Sequence, residues 1–214
     1  MRVNEVRSKL QKALGNHYKF VQVLEEDKWV IDEKHNFRES GFLQTVRITD
    51  IPIHDKDKRF WLLDKLESKD ISGFVTQSKT VEAILLRFSK KKKRLTVFMV
   101  EMKSGIRNDT LEKILGKFED SISRFYMLLC LNDNLHTKEF EGTVIDFKGI
   151  VFFNNDSTDS KSRHRAKYDE INKIFKRKKG KIWCETEIDP IKISVKFVLS
   201  RTPERHSLRF EELF

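Results

Sequence analysis

One stretch of the sequence decides the fold: residues 81–103 read VEAILLRFSKKKKRLTVFMVEMK. Two apolar runs of eight to nine residues, rich in valine, isoleucine, leucine and phenylalanine, flank a block of four lysines, Lys90–Lys93. Branched and aromatic side chains in runs of this length favour strands over helices. The stretch therefore predicts a β-hairpin whose turn consists of exposed lysines.

The charged residues at the open end of this hairpin become neighbours if the hairpin is symmetric. With the centre of the turn between Lys91 and Lys92, the numbers of paired residues sum to 183, and Glu82 lies opposite Glu101. Lys103 follows two residues after Glu101, so it projects from the same face of the strand. The other predicted pairs are Ile84–Met99, Leu86–Val97 and Phe88–Leu95. Two carboxylates and one ammonium thus collect at one end of an apolar strand pair.

This concentration of charge needs a compensating cation. Like charges that face each other directly across a sheet destabilise it. A divalent cation is the natural counter-ion for two facing carboxylates, and Mg²⁺ prefers oxygen ligands. A simpler interpretation stays open, in which Glu82 and Glu101 are ordinary strand-end charges and Lys103 forms a surface ion pair worth less than about 1 kcal/mol.

Composition limits the class of protein. The chain has 214 residues, of which 38% are hydrophobic and 11% aromatic, enough to build one packed domain. No apolar run reaches the ~18 residues that a transmembrane helix needs, and the charged N-terminus, MRVNEVRSKL, has no apolar segment typical of a secretion signal. Cys130 and Cys184 are far apart in sequence and have no C-x-x-C partner, which favours reduced core thiols of a cytoplasmic protein over a disulfide or a zinc site. No contact with a membrane is expected.

The net charge of +10 indicates a polyanionic partner. Ten Lys/Arg against two acidic residues between positions 161 and 181 supply +8 of this charge. Nucleic acid is the commonest polyanion that such a surface binds, although a solvated basic arm has the same composition, and Lys90–Lys93 could equally be a solvated turn. The predicted phosphate contacts are Lys113, Lys117, Arg163, Arg165, Lys167, Lys176, Arg177, Lys178 and Lys179.

Patterns before the hairpin predict two helices and three strands. Apolar residues at helical spacing mark residues 2–14 as an amphipathic helix. Strands are predicted at Tyr18–Leu24 and Trp29–Ile31 around a short turn, and at residues 42–48, where apolar residues alternate. Asp57 could cap a second helix. The apolar residues of that helix would be Phe60, Trp61, Leu63 and Leu66.

Patterns after the hairpin predict a long helix and two strands. Asp109 is a good N-cap with Glu112 three residues later, and apolar residues then mark one helix face over five turns. Val144–Phe153 reads as a buried strand, so the central order is strand, strand, helix, strand. Ile191–Val198 suggests a last strand, part of the basic segment is predicted to be helical, and the polar tail from Arg201 is expected to be peripheral.

These features resemble the PD-(D/E)xK nucleases, the restriction-endonuclease-like superfamily. The sequence Glu101-Met102-Lys103 at the end of an apolar strand matches the E-x-K half of the motif, and Glu82 on the preceding antiparallel strand fits the other half. The following helix and strand fit the order of elements in that core. The resemblance covers roughly residues 58–153, and it implies an α/β fold with a central mixed β-sheet flanked by helices.

The resemblance also implies a role for each residue at the open end of the hairpin. Glu82 and Glu101 would ligate Mg²⁺ or Mn²⁺, together with the backbone carbonyl of Met102. Lys103 would orient the attacking water and stabilise the pentavalent phosphate. These roles define a catalytic site of Glu82, Glu101 and Lys103.

The first half of the motif departs from the family pattern. Glu82 stands where an aspartate is usual, and a valine rather than a proline precedes it. Asp70 is an alternative first ligand, although it would require a long excursion of the chain. A further carboxylate could come from Glu67, Asp64 or Glu5.

The sequence therefore predicts a metal-dependent endonuclease, a hydrolase of DNA in restriction, repair, recombination or defence. It would form one domain over residues 1–214, with its core at about 58–153 and a basic C-terminal extension at about 154–214. Many enzymes of this class act as dimers to cut two strands, so the resemblance also implies a homodimer. The alternatives are a non-catalytic nucleic-acid-binding protein and an interaction subunit with a degenerate nuclease fold.

Overall fold

The structure is a computed structural model that describes nine segments of the chain. They are residues 21–32, 43–63, 80–106, 108–131, 142–154, 175–178, 181–188, 191–200 and 205–214. The helix predicted at residues 2–14 and the helical part predicted before Phe175 lie outside these segments. Among the described residues, no helix combines the length and apolar character needed to cross a membrane.

Eleven strands, one α-helix and one 3-10 helix make up the described segments. In chain order they are β1 (Val21–Val23), β2 (Trp29–Asp32), β3 (Thr45–Thr49), β4 (Lys58–Leu63), β5 (Ala83–Ser89), β6 (Arg94–Lys103), α1 (Asn108–Leu131), β7 (Val144–Phe153), β8 (Lys176–Lys178), β9 (Lys181–Ile188), β10 (Ile191–Leu199), β11 (Arg205–Arg209) and the 3-10 helix Phe210–Leu213. The predicted order of strand, strand, helix and strand in the centre of the chain is confirmed.

The hairpin of β5 and β6 has the predicted register. Its pairs run from Ala83–Val100 to Ser89–Arg94, so the numbers of each pair sum to 183. The lysine turn between the strands is exposed. Asp57 holds this turn, because its carboxylate accepts the Ser89 hydroxyl at 2.9 Å and the Lys91 backbone N–H at 2.6 Å.

The main sheet is mixed and has eight strands in the order β1-β4-β5-β6-β7-β10-β9-β8. In this sheet β1, β4, β5 and β6 pair antiparallel with their neighbours in that order. The strands β10, β9 and β8 also pair antiparallel. β7 is parallel to both of its neighbours, β6 and β10. A parallel pair needs a crossover connection, and α1 lies in the connection between β6 and β7.

The helix α1 covers one face of the main sheet. Its apolar face was predicted from sequence, and five of those residues are buried in the core on this side: Leu111, Ile114, Phe118, Ile122 and Phe125. The sheet contributes alternate residues to this helix-side core, including Val97 and Met99 of β6 and Val151 of β7. Gly149 of β7 lets the helix come close, because a Cβ at this position would lie 3.0 Å from the Phe118 ring.

The other face of the main sheet is covered by strands rather than by the predicted helices. β11, β3 and β2 form a three-stranded sheet in that order. Its residues Val46, Ile48 and Leu208 are buried in a second core with Phe98 and Phe152 of the main sheet. The described residues therefore form three layers, a helix, a mixed sheet and a small sheet, which is an α/β architecture with few flanking helices.

The prediction of a helix after Asp57 is wrong for residues 58–63, which form β4. Leu66, the last apolar residue of that predicted helix, lies outside the described residues. Phe60 and Leu62 pack into the second core, between the main sheet and the small sheet. Trp61 and Leu63 pack into the helix-side core. A strand inside a sheet is apolar on both faces, so its sequence lacks the alternation that distinguishes a strand from a short helix.

The tail predicted to be peripheral is also part of the fold. β11 pairs in parallel with β3, and Phe210 and Leu213 after it are buried in the second core. The buried Lys196 of β10 donates hydrogen bonds to the backbone carbonyls of Glu212 and Phe214. The predicted basic extension contributes β8, β9 and β10 to the main sheet, with β10 directly beside β7.

The two strands expected around the first short turn do not pair with each other. β1 pairs with β4 in the main sheet, whereas β2 pairs with β3 in the small sheet. The turn between them therefore connects two layers of the structure. The predicted strand at residues 42–48 is confirmed as β3, with shifted ends.

Candidate active site

Glu101 lies near the end of β6, on the face that α1 covers. Val97 and Met99 precede it at alternate positions and belong to the helix-side core, and side chains alternate between the two faces of a strand. Glu101 is 0% exposed. β5 stops pairing with β6 at Val100, whereas β7 continues beside β6 as far as Lys103. The hairpin therefore opens next to a fully buried carboxylate.

Two ammonium groups contact the same oxygen of Glu101. Lys103 Nζ lies 2.5 Å from Glu101 Oε1, and Lys117 Nζ from α1 lies 2.7 Å from it. Lys117 Nζ also lies 3.4 Å from Glu82 Oε1. Glu82 stands one residue before β5, at the position that continues the register to Glu101. The three residues predicted from the motif thus come together, and Lys117 joins them.

The second oxygen of Glu101 has no hydrogen-bond partner within the described segments. Glu101 Oε2 is buried and accepts no hydrogen bond from any residue that the structure describes. Burial raises the pKa of Glu101 above its usual value, and Lys103 and Lys117 offset this effect only in part. A buried ionised oxygen without a cation or a hydrogen-bond donor is costly. Glu101 Oε2 is therefore available as a ligand.

Lys117 is held in its charged form. Burial alone would lower the pKa of Lys117, but the carboxylates of Glu101 and Glu82 more than offset burial and raise it. The same contact affects the two partners differently, because the Glu101 side chain is fully enclosed while the Lys117 side chain is 14% exposed. Desolvation therefore outweighs the ion pair at Glu101, whose pKa is raised, whereas the carboxylates outweigh desolvation at Lys117.

Ser121 connects α1 to the start of β5. Its hydroxyl accepts the Val81 backbone N–H at 3.0 Å and donates to the Lys117 carbonyl at 2.7 Å. Ser121 is fully buried, and it lies one turn after Lys117 on the same helix face. This link places the backbone next to Glu82 at a set distance from the helix that carries Lys117.

The oxygen atoms at this end of the hairpin suit a hard divalent cation. Glu82 and Glu101 supply carboxylates, and the predicted third ligand, the carbonyl of Met102, lies between Glu101 and Lys103 in β6. Across the described segments, no third acidic, histidine or cysteine side chain joins them. Few protein ligands and several waters are typical of Mg²⁺ sites, so the residues present fit such an ion.

The remaining predicted site residues are placed as follows. Glu67, Asp64, Asp70 and Glu5, the candidates for a further or alternative ligand, lie outside the described residues, as do Arg163, Arg165, Lys167 and Lys179. Lys113 is exposed on α1, one turn before Lys117, and Lys176 is exposed in β8. The strand β8 also contains Arg177 and Lys178.

Sequence reasoning missed the position of Lys117 in the charged cluster. Lys117 was predicted only as a phosphate contact, and the structure places its ammonium between two carboxylates. A signal was present, since Lys117 is three residues after Ile114 and four before Ser121, both of which are buried. Residues at these spacings share one helix face.

Comparisons of the chain with profiles of known protein families, with curated proteins and with solved structures give no match. The resemblance to PD-(D/E)xK nucleases therefore stays a prediction from the hairpin motif and from the order of the elements around it. The described residues form a mixed α/β fold with a charged cluster around the buried Glu101 at the open end of its central hairpin.

Proposed function

We propose that this chain is a Mg²⁺- or Mn²⁺-dependent nuclease of the PD-(D/E)xK type. It would act in the cytoplasm and hydrolyse phosphodiester bonds in DNA. One observation carries the proposal: the fully buried Glu101 at the end of β6 has one oxygen that bonds to none of the described residues, while Lys103 bonds to its other oxygen. Such an arrangement costs folding free energy. Costly ionisable groups of this kind concentrate at functional sites.

The chain would use these residues in distinct ways. Glu82, Glu101 and the Met102 carbonyl would hold the cation, which makes a bound water more acidic. Lys103 donates to Glu101 and is 27% exposed, so its ammonium can bond the carboxylate and still face an approaching phosphate. A fixed positive charge there stabilises the negative charge that develops in the transition state.

Basic residues at two distances from the site would bind the nucleic acid. The exposed Lys113 lies one helical turn from Lys117 and could contact a phosphate next to the scissile one. The lysine turn, Lys90–Lys93, stands at the opposite end of the hairpin, about 25 Å away at the rise of an extended strand. It could therefore contact only a more distant part of the same duplex. A homodimer would supply a second site for the second strand.

Metal-dependent cleavage tests this proposal. Purified chain is incubated with plasmid, linear, branched and single-stranded DNA in Mg²⁺, in Mn²⁺ or in EDTA. We expect metal-dependent cleavage by the wild type and a loss of at least about 100-fold in Glu101→Gln, the scale of losing one electrostatic stabiliser of a transition state. Glu185→Gln, which changes an exposed glutamate of β9, is the control and should cleave normally. Full cleavage by Glu101→Gln or Lys103→Ala would refute the assignment.

A second candidate function has a specific observation in its favour. Lys103 and Lys117 already balance the charges of Glu82 and Glu101, so the cluster could be stable without any metal. The chain would then be a non-catalytic nucleic-acid-binding protein with the same basic surface. Salt-sensitive DNA binding together with no heat on titration of Mn²⁺ would favour this function over the nuclease.

A further inference from the structure

Lys117 makes the candidate site electrically neutral in the absence of a metal. Glu82 and Glu101 contribute two negative charges, and Lys103 and Lys117 contribute two positive charges. A divalent cation added to this set would leave two excess positive charges around a fully buried carboxylate. Like charges at such distances repel strongly where water is excluded. One ammonium should therefore leave when the cation binds.

Lys117 is the ammonium whose position conflicts with a cation. It contacts both Glu82 and Glu101, whereas Lys103 contacts Glu101 alone. Lys117 Nζ thus occupies the space between the two carboxylates, where a cation shared by Glu82 and Glu101 would lie, whichever oxygen of Glu101 that cation ligates. Lysine carries its charge on a flexible four-carbon stem, and 14% exposure of this side chain gives the ammonium a route to water.

We propose that Lys117 is an internal counter-ion that occupies the cation position between Glu82 and Glu101 and competes with the divalent metal for it. The inference rests on the proposed function, because it takes the metal site from there. Its consequence is that metal affinity is set by the release of one lysine as well as by the two carboxylates. The free chain then keeps its buried carboxylates compensated while no metal is bound.

Isothermal titration of the full chain with Mn²⁺ alone, without nucleic acid, tests the competition. Lys117→Met removes the competing charge and keeps a side chain of similar length. We expect this variant to bind Mn²⁺ at least about tenfold more tightly than the wild type, because like charges a few ångströms apart repel even at the dielectric constant of water. Lys117→Gln serves the same purpose if Lys117→Met does not fold.

Lys58→Met is the matched control for the change in net charge. Lys58 Nζ also pairs with a carboxylate, at 2.6 Å from Asp55 Oδ2, but it lies at the turn end of the hairpin. This variant should bind Mn²⁺ as the wild type does. Equal tightening in Lys58→Met and Lys117→Met would show that net charge alone is responsible, and it would overturn the proposal.

The remaining outcomes separate this proposal from the proposed function. If the wild type binds Mn²⁺ and Lys117→Met binds it equally or more weakly, Lys117 is not a competitor, and the nuclease proposal stands. If neither protein binds Mn²⁺, both the metal site and the competition are refuted. Tighter binding in Lys117→Met with none detected in the wild type would support the counter-ion in its strongest form.

Discussion

The close approach of α1 to the main sheet yields a sharp prediction for Gly149→Ala. Gly149 lies in β7 below the helix, and a Cβ added there would lie 3.0 Å from Phe118 Cζ and 3.0 Å from Val195 Cγ2. Both neighbours are fully buried. Neither side chain is a flexible group at the surface, so the added methyl group must displace Phe118 of the helix, Val195 of β10 or both.

The size of the effect follows from the contact distances. Carbon atoms in ordinary contact lie about 3.5–4.0 Å apart, so the neighbours must move by a few tenths of an ångström to accept the new Cβ. Overpacking of a well-packed core costs about 1–3 kcal/mol. For a chain of this length, each kcal/mol lowers Tm by about 2–4 °C. Phe118 adjoins Lys117, so the same displacement would lengthen the 2.7 Å contact between Lys117 and Glu101.

A second glycine on the helix is the matched control. Gly116 lies inside α1, and a Cβ built there meets no atom within 4 Å. Gly116→Ala should therefore stabilise the fold by about 0.5–1 kcal/mol, the difference between the two residues in a helix interior. Thermal and urea unfolding measure both variants. If Gly149→Ala is as stable as the wild type, or if both variants shift stability in the same direction, the packing of α1 against β7 is not as described.

Two further substitutions test the contacts that hold the layers together. Ser121→Ala leaves the Val81 N–H without its buried acceptor and should cost about 1–3 kcal/mol in urea unfolding. Ser123→Ala removes only an exposed hydroxyl that donates to the Glu119 carbonyl of the same helix, and it should change stability by less than about 0.5 kcal/mol. Lys196→Met in β10 leaves the backbone carbonyls of Glu212 and Phe214 without their buried donor, and it should lower the free energy of unfolding by about 1–3 kcal/mol. Lys192→Met, at an exposed position of β10, should be within about 0.5 kcal/mol of the wild type. Equal stability within either pair of variants would refute the corresponding contact.

The hairpin and the long helix are predictable because their signals are local. The apolar runs on either side of Lys90–Lys93 have similar length, so a symmetric register pairs them along their whole length. That register, with partner numbers summing to 183, is the one observed. The helix from Asn108 to Leu131 likewise shows its buried face directly in the spacing of its apolar residues. The placement of Glu101 and Lys103 on one face of β6, at the open end of the hairpin, follows from the hairpin alone.

The small sheet and the role of Lys117 depend on contacts that are distant in sequence. β11 pairs with β3 across more than half of the chain, and only Leu208 within β11 is buried, so its sequence resembles an exposed tail. Lys117 has carboxylate neighbours only because α1 packs over the open end of the hairpin. Helical periodicity places it beside buried residues but does not reveal what faces it.

The two carboxylates of the candidate site are positioned by different parts of the fold. Glu101 lies within β6 and is held by pairing with Val151 of β7. Glu82 precedes β5, so strand pairing does not extend to it. Its neighbour Val81 is instead fixed by the hydrogen bond to Ser121 on α1. The separation of the carboxylates, and with it any affinity for a shared cation, therefore depends on how closely the helix packs on the sheet as well as on the register of the hairpin.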